Sequence, residues 1–246
     1  MLPLFLQTFI ELANKIESEG IMSTIESIVE KFSDQVAPYA IGVVTALVEQ
    51  FWKIVSVEEE AAQNENEDIY AAETLAGHSV LRTVATVLDA ISKSPDMYPE
   101  MENILFPLLD KFFCEDGLDI IEELLEITTY FTFYSPQISP RMWSLYPKMM
   151  QCIETWAGDY MSEFVPALDN FISRGTQTFI QSTNPPYLIL TNNALEKCFH
   201  QERDGFGTDE ETYLACAALI QVILEHCRGL VDHCIRTYTL SDLFLQ

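Results

Sequence analysis

The sequence is poor in glycine. Only 9 of its 246 residues are glycine, whereas a phosphate-binding loop needs several glycines close together. The closest group is Gly205 and Gly207 in RDGFGTDE, which does not have that spacing. So few glycines also disfavour the many tight turns of a β-rich protein. We therefore expect neither a nucleotide loop nor a fold built from hairpins.

Positive charge is scarce as well. The chain has 13 basic and 38 acidic side chains, and its formal net charge at pH 7 is −25. Because nucleic acids are bound largely through Lys and Arg that displace counterions, this balance disfavours direct binding of DNA or RNA. The same field attracts a basic protein partner and speeds its association. Since 48% of the residues are hydrophobic, the chain can bury a core and is not a disordered acidic tail.

Neither a membrane span nor a disulfide framework is predicted. The longest uncharged window, Gly175 to Leu195, contains Pro185 and Pro186 and is too polar to cross a bilayer. The opening residues have no basic stretch ahead of an apolar run, as a secretory signal would have. Six cysteines in a chain of this length are too few for a disulfide-rich domain. We expect an intracellular protein with reduced thiols and no membrane partner.

Apolar residues recur at steps of three and four along most of the chain, as in amphipathic helices. One such face consists of Val36, Tyr39, Val43, Leu47, Phe51 and Ile54. The pattern predicts no strand and about eleven helices, near residues 2–18, 21–33, 36–56, 69–93, 97–114, 118–134, 140–156, 159–173, 186–200, 209–227 and 230–244. Ser139 ahead of Pro140 has the pattern of a helix N-cap followed by proline.

Two helical segments repeat the same residues. LFPLLDKFF at 105–113 aligns with FVPALDNFI at 164–172. Pro107 and Pro147, which both lie within helical patterns, are 40 residues apart, close to the period of about 40–47 residues in HEAT-like helix pairs. We therefore predict an all-α fold, a HEAT-repeat α-solenoid, with residues 1–246 forming a single segment of antiparallel helix pairs.

Two acidic segments interrupt this pattern. VEEEAAQNENED at 57–68 has the composition of an inter-helix loop, either a solvated hinge or a contact for a basic disordered segment. The second segment contains no basic residue between Lys111 and Arg141, and its carboxylates either complement a helix dipole or bind the same partner. The candidate binding residues are Glu58, Glu59, Glu60, Glu65, Glu67, Asp68, Glu115, Asp116, Asp119, Glu122 and Glu123.

No residue pattern predicts catalysis or a metal site. The His and Cys residues of EHCRGLVDHCIR at 225–236 match no common zinc-finger spacing. Cys198 and His200 point in different directions on a helix, which disfavours a nucleophile with its base. RDGFGTDEE at 203–211 lacks the oxygen ligands of a calcium loop. We expect no cofactor, no metal and no enzymatic activity.

Four phrases resemble importin-β-like karyopherins of the importin seven and importin eight type: SDQVAPYAIGVV, SPQISPRMWSLYP, GDYMSEFVPALDNFISRG and LIQVILEHCRG. The resemblance covers essentially the whole chain and implies a fragment from the C-terminal half of a longer receptor. It implies a role in nuclear protein import, in which the chain contributes cargo-binding and superhelical surface for basic cargo such as ribosomal proteins or histones.

The resemblance also implies partners for the full-length receptor, namely Ran GTPase and phenylalanine-glycine nucleoporins. Such a receptor shuttles between the cytoplasm and the nucleus through nuclear pores. The alternative is a HEAT-repeat scaffold that organises a protein complex without transport. The response to Ran and to phenylalanine-glycine peptides separates the two hypotheses.

Overall fold

The structure is a computed structural model, and it describes residues 24, 27–29, 31–64, 67–200 and 210–228. Every regular element in these ranges is helical, so the all-α prediction is confirmed. The α-helices are α1 (Ser33–Val36), α2 (Ala40–Gln63), α3 (Glu67–Ala90), α4 (Tyr98–Phe112), α5 (Ile121–Tyr134), α6 (Pro140–Thr155), α7 (Met161–Arg174), α8 (Thr176–Gln181), α9 (Tyr187–His200) and α10 (Glu210–His226).

In the described ranges, four short 3-10 segments lead into longer helices: Ala37–Tyr39, Pro95–Met97, Glu115–Ile120 and Gly158–Tyr160. The predicted helices near 2–18 and 230–244 lie outside the described residues. The short helix α8 was not predicted, because its six residues are too few to show a helical period.

The loop predicted at 57–68 is wrong, because most of this acidic segment is helical. α2 continues to Gln63 and α3 begins at Glu67. Glutamate and alanine are good helix formers, and the buried Ala61 continues the apolar face of α2 through the acidic run. Asn64 ends α2, where its side-chain amide donates to the carbonyl of Glu60 at 2.8 Å.

The chain divides into two compact units, Met1–Pro136 and Gln137–Gln246, and the single segment of HEAT-like repeats over 1–246 stays a prediction. In the first unit α2 and α3 pack along each other as an antiparallel hairpin, since a short connection joins them. α2 also packs on α4, while α3 packs on α5 and α4 packs on α5. This arrangement of paired helices is the one expected of HEAT repeats.

One helical stretch among the described residues, Ala37–Glu58, is long and apolar enough to cross a bilayer. Half of this stretch is buried inside the protein, where α2 packs against α3 and α4. The apolar composition is therefore accounted for by core packing within the first unit.

The second unit is built around an aromatic cluster. α6 packs on α9, and α7 packs on α10. Between these helices lie the rings of Trp143, Tyr146, Phe171, Phe179 and Tyr187, whose centroids are 4.9–6.0 Å apart in the contacting pairs. These ring contacts pack α8 and α9 against α6 and α7.

A proline inside α6 adds a polar contact to this cluster. Pro147 has no N–H, so the carbonyl of Trp143 four residues earlier has no helical partner. The hydroxyl of Tyr187, on α9, donates to that carbonyl at 3.3 Å. The gap in the hydrogen bonds of one helix is thus used to attach a neighbouring helix.

Candidate functional site

Three of the acidic residues predicted from the sequence meet around one cavity in the first unit. Glu58 comes from α2, whereas Asp116 and Asp119 come from the 3-10 segment Glu115–Ile120. The cavity has a volume of about 270 Å³. Its apolar wall is formed by Phe51, Ile54, Val55, Gly77, Phe112 and Ile120. The two acidic segments of the sequence therefore contribute to the same site.

Gly117 sets the path of the acidic 3-10 segment. A Cβ atom at this position would overlap the carbonyl oxygen of Phe112, at the end of α4. The Gly117 amide donates to the carbonyl of Cys114 at 3.0 Å, which closes the turn. Because only glycine fits this approach, the turn can bring Asp116 and Asp119 to the edge of the cavity.

Two side chains of α3 hold two of the carboxylates. The hydroxyl of Thr74 donates to Oε1 of Glu58 at 2.5 Å. The hydroxyl of Tyr70 donates to Oδ2 of Asp119 at 3.4 Å. Partial burial raises the pKa of Tyr70, and the negative charges of Asp119 and Glu58 raise it further. The Tyr70 hydroxyl therefore lies where the electrostatic potential is negative.

One cation already lies at this site. Nζ of Lys111 is 5.3 Å from the ring centroid of Trp52 and 5.0 Å from that of Phe112, within the range of cation–π attraction. Lys111 lines the cavity together with the three carboxylates. The formal charge of the lining is therefore negative even with this lysine included.

Asp116 and Asp119 are exposed, and Glu58 is half-buried. The other predicted residues that the structure describes lie outside the cavity lining, and those with exposed side chains are Glu60, Glu67, Glu115 and Glu122. The backbones of Glu59 and Asp68 lie in α2 and α3, and Glu65 lies outside the described residues. Within the described part of the chain, none of these other carboxylates lines the cavity.

Glu123 is buried, and its prediction as a binding residue is therefore wrong. Only 8% of its surface is exposed, and its Oε1 lies 2.9 Å from Nδ1 of His78 on α3. The pair links α3 to α5, and Oε2 has no hydrogen-bond partner within the described part of the chain. The burial of Glu123 could have been predicted from the sequence. Glu123 lies between Ile120 and Ile127 at helical spacing, so it falls on the apolar face of the helix.

Sequence reasoning missed Tyr70, Thr74 and Lys111. Tyr70 and Asp119 are 49 residues apart in the chain, and no local pattern indicates that they are in contact. Only the packing of α3 beside the 3-10 segment Glu115–Ile120 brings them together.

The described residues contain no group of three or more His, Cys, Asp or Glu side chains that could hold a metal ion. The thiols of Cys114, Cys152, Cys198, Cys216 and Cys227 form no disulfide among the described residues, and all but Cys114 are buried. The hydrogen bond from Cys216 lowers the pKa of Cys198, although burial opposes this shift. The other His and Cys residues of the 225–236 cluster, at 233 and 234, lie outside the described residues.

Comparison with known proteins identifies relatives along nearly the whole chain. The importin beta-like SAD2 homolog of Arabidopsis thaliana is 33% identical over 97% of this chain. A probable importin-7 homolog of Dictyostelium discoideum is 30% identical over 96% of it, and human importin-8 is 24% identical over 94%. The chain belongs to the importin-7/8-type karyopherins. The resemblance noted in the sequence and the HEAT-repeat α-solenoid fold class are thereby confirmed.

The match covers only part of each relative. The chain spans 22% of the Arabidopsis protein and 21% of both the Dictyostelium and the human protein, or about a fifth of their length. No model of a known protein family matches the chain, and no solved structure matches it.

Proposed function

We propose that this chain is part of a nuclear transport receptor and that the acidic surface of its first unit binds basic protein cargo. The relationship to importins supports the first part of the proposal. The observation that carries the second part is the meeting of Glu58, Asp116 and Asp119 around one cavity. Additional exposed carboxylates on α2, α3 and α5 extend the negative surface.

The full-length receptor has further partners in this proposal. It binds Ran GTPase and phenylalanine-glycine nucleoporins, and it shuttles between the cytoplasm and the nucleus. The cargo is a basic protein of the ribosomal or histone-like class, because its Lys and Arg residues complement the negative surface. The proposed activity is transport, with no catalytic step and no direct contact with nucleic acid.

Binding by this surface depends on many weak contacts. An exposed ion pair contributes about 0–1 kcal/mol, so a single carboxylate cannot hold cargo by itself. Several such contacts along one flexible basic segment raise the overall affinity. Because salt screens exposed charges over about 10 Å at 0.1 M, the affinity should fall steeply as the salt concentration rises.

The test is a binding titration of the full chain with a fluorescein-labelled peptide of six lysines separated by Gly-Ser. One variant neutralises four exposed carboxylates of the first unit: Glu60→Gln, Glu67→Gln, Glu115→Gln and Glu122→Gln. The matched control makes the same charge change in the second unit: Glu163→Gln, Glu196→Gln, Glu210→Gln and Glu211→Gln.

We expect the first variant to lose about tenfold or more of the affinity at 50 mM NaCl and the control to lose about twofold. Circular dichroism should show the same helicity for both. Equal losses from the two variants would contradict the proposal, because the negative charge would then act as a uniform field. No binding of the lysine peptide to the unmodified chain would contradict it as well.

A further inference from the structure

We propose that the cavity is a socket for one long cationic side chain of the cargo, either lysine or arginine. The name socket is used below for the cavity lined by Glu58, Asp116 and Asp119. This inference rests on the proposed function and specifies what its central site accepts.

The size of the socket suits one side chain. Its volume of about 270 Å³ lies just below the range of about 300–1,000 Å³ for pockets that hold a drug-sized ligand. A folded element of a partner does not fit this space, but an extended side chain entering from the surface does.

The wall of the socket is apolar where the stem of such a side chain would lie. Phe51, Phe112 and Ile120 are buried residues that line it, and Gly77 contributes a gap without a side chain. Lysine and arginine commonly place their methylene groups along apolar surface while the charged head remains in a polar environment. An anionic ligand would gain nothing from this combination of wall and charge.

The acidic residues of the socket are arranged to accept hydrogen bonds from a cationic head. Thr74 and Tyr70 each donate one hydrogen bond, to Glu58 and to Asp119. An ionised carboxylate has about four acceptor positions, so both residues keep the capacity to bind an ammonium or guanidinium group. Hydrogen bonds between charged groups are about twice as strong as neutral ones.

Lys111 shows that this environment accommodates a cation. Its Nζ lies over the rings of Trp52 and Phe112, while the three carboxylates belong to the same lining. One lysine against three carboxylates leaves a formal charge of −2, so a second cation is still attracted. A phenylalanine in the same place would instead remove water from these carboxylates without pairing them, which is unfavourable.

The experiment compares isosteric neutralisations inside and outside the socket. The socket variants are Glu58→Gln and Asp119→Asn. The matched controls are Glu115→Gln and Glu122→Gln, which are exposed as Asp119 is but lie outside the socket lining. Each is titrated with the lysine peptide at 100 mM NaCl. We expect about tenfold weaker binding for each socket variant and at most about twofold for each control.

A second comparison changes the volume of the socket without changing its charge. A Cβ at Gly77 would lie 3.5 Å from Cε2 of Phe51 and 3.9 Å from Cγ2 of Ile54, in ordinary contact, whereas a Cβ at Gly42 would have no neighbour within 4 Å. Both are helical positions, so Gly77→Ala and Gly42→Ala should stabilise their helices similarly. Only Gly77→Ala should weaken binding of the lysine peptide, and we expect a loss of about threefold.

A third comparison varies the peptide. Replacing lysine by 2,4-diaminobutyrate keeps the ammonium charge but removes two methylene groups, so the shorter stem should bind less tightly to the unmodified chain. A phenylalanine-glycine peptide of equal length should not compete.

The outcomes separate this inference from the proposed function. If the lysine peptide binds but socket variants and controls lose affinity equally, the socket is contradicted while the acidic surface still binds cargo. If the phenylalanine-glycine peptide displaces the lysine peptide and is sensitive to Gly77→Ala, the occupant is aromatic and the inference is wrong. If no basic peptide binds, the proposed function fails and the socket fails with it.

Discussion

The two units of the chain differ sharply in charge. Residues 1–136 contain 25 acidic and 6 basic side chains, a formal net charge of −19, whereas residues 137–246 contain 13 acidic and 7 basic side chains, a net charge of −6. Solubility alone would be served by an even distribution. The excess negative charge instead lies in the unit that contains the acidic cavity, which supports a role in binding.

Two pairs of hydroxyl side chains, one pair in each unit, have different hydrogen-bond partners. In the second unit the hydroxyl of Thr191 donates to the carbonyl of Tyr187 at 2.8 Å. The hydroxyl of the fully buried Tyr146 must therefore be the donor in its 2.7 Å bond to Thr191. The Tyr146 bond joins α6 to α9, and the Thr191 bond lies within α9. In the first unit, Tyr70 and Thr74 donate instead to carboxylates that line an open cavity.

The largest expected effect is a loss of stability, without a loss of peptide binding, on truncating a core residue of the second unit. Phe171, on α7, is fully buried and contacts Trp143 and Tyr146, so Phe171→Ala should reduce the free energy of unfolding by about 3–5 kcal/mol. Phe133 is 54% exposed, and the same substitution there should cost about 0.5 kcal/mol or less. Urea denaturation measures both variants.

The folded fraction of Phe171→Ala should bind the lysine peptide as the unmodified chain does, because its defect lies in the second unit. A loss of affinity that persists after correction for the folded fraction would break the division of roles between the units.

A smaller effect tests the contact at Pro147. Tyr187→Phe removes the donor to the carbonyl of Trp143 and should cost about 1 kcal/mol. Pro147→Ala returns an N–H that can pair with the same carbonyl, so Tyr187→Phe should cost less in that background. A double-mutant cycle measured by thermal unfolding gives the coupling, and strictly additive costs would show that Tyr187 does not serve this carbonyl.

A spectroscopic prediction concerns the field inside the cavity. Asp119 and Glu58 contribute to the raised pKa of Tyr70, so Asp119→Asn should lower this pKa towards the ordinary value of 10.0. An NMR titration of tyrosine labelled with ¹³C at Cζ follows it directly. Glu115→Gln is the control, since Glu115 is absent from the charges that act on Tyr70. An unchanged pKa in Asp119→Asn would remove the evidence for the field.

The smallest expected effect is a dependence of stability on pH. Desolvation, with a further contribution from Glu123, raises the pKa of Glu126 above its ordinary value of 4.5. The folded state therefore keeps this proton to higher pH than the unfolded state, and the contribution of Glu126 to stability falls as pH rises through the raised pKa. Glu126→Gln should raise the melting temperature at pH 7, and the difference should close below pH 4.5. A difference of equal size at both pH values would contradict this account.

Local patterns in the sequence predicted most of the helices but not the cavity. The apolar period located α4 to α7 to within about three residues, and Ser139 caps α6 as predicted, with the Met142 amide donating to its hydroxyl at 3.1 Å. The loop predicted at 57–68 from composition was wrong, because a glutamate-rich exposed helix face has the same composition as an acidic loop. The cavity depends on Gly117 and on contacts between distant segments, such as Tyr70 with Asp119, which a single sequence does not reveal.

The central claim is that basic cargo binds the acidic surface of the first unit, and amide hydrogen exchange with and without the lysine peptide tests it most directly. Binding at the cavity should slow exchange in Glu115–Ile120 and in the adjoining ends of α2 and α3, with exchange in Pro140–Thr155 and Met161–Arg174 unchanged. Protection confined to the second unit, or spread evenly over both units, would contradict the account.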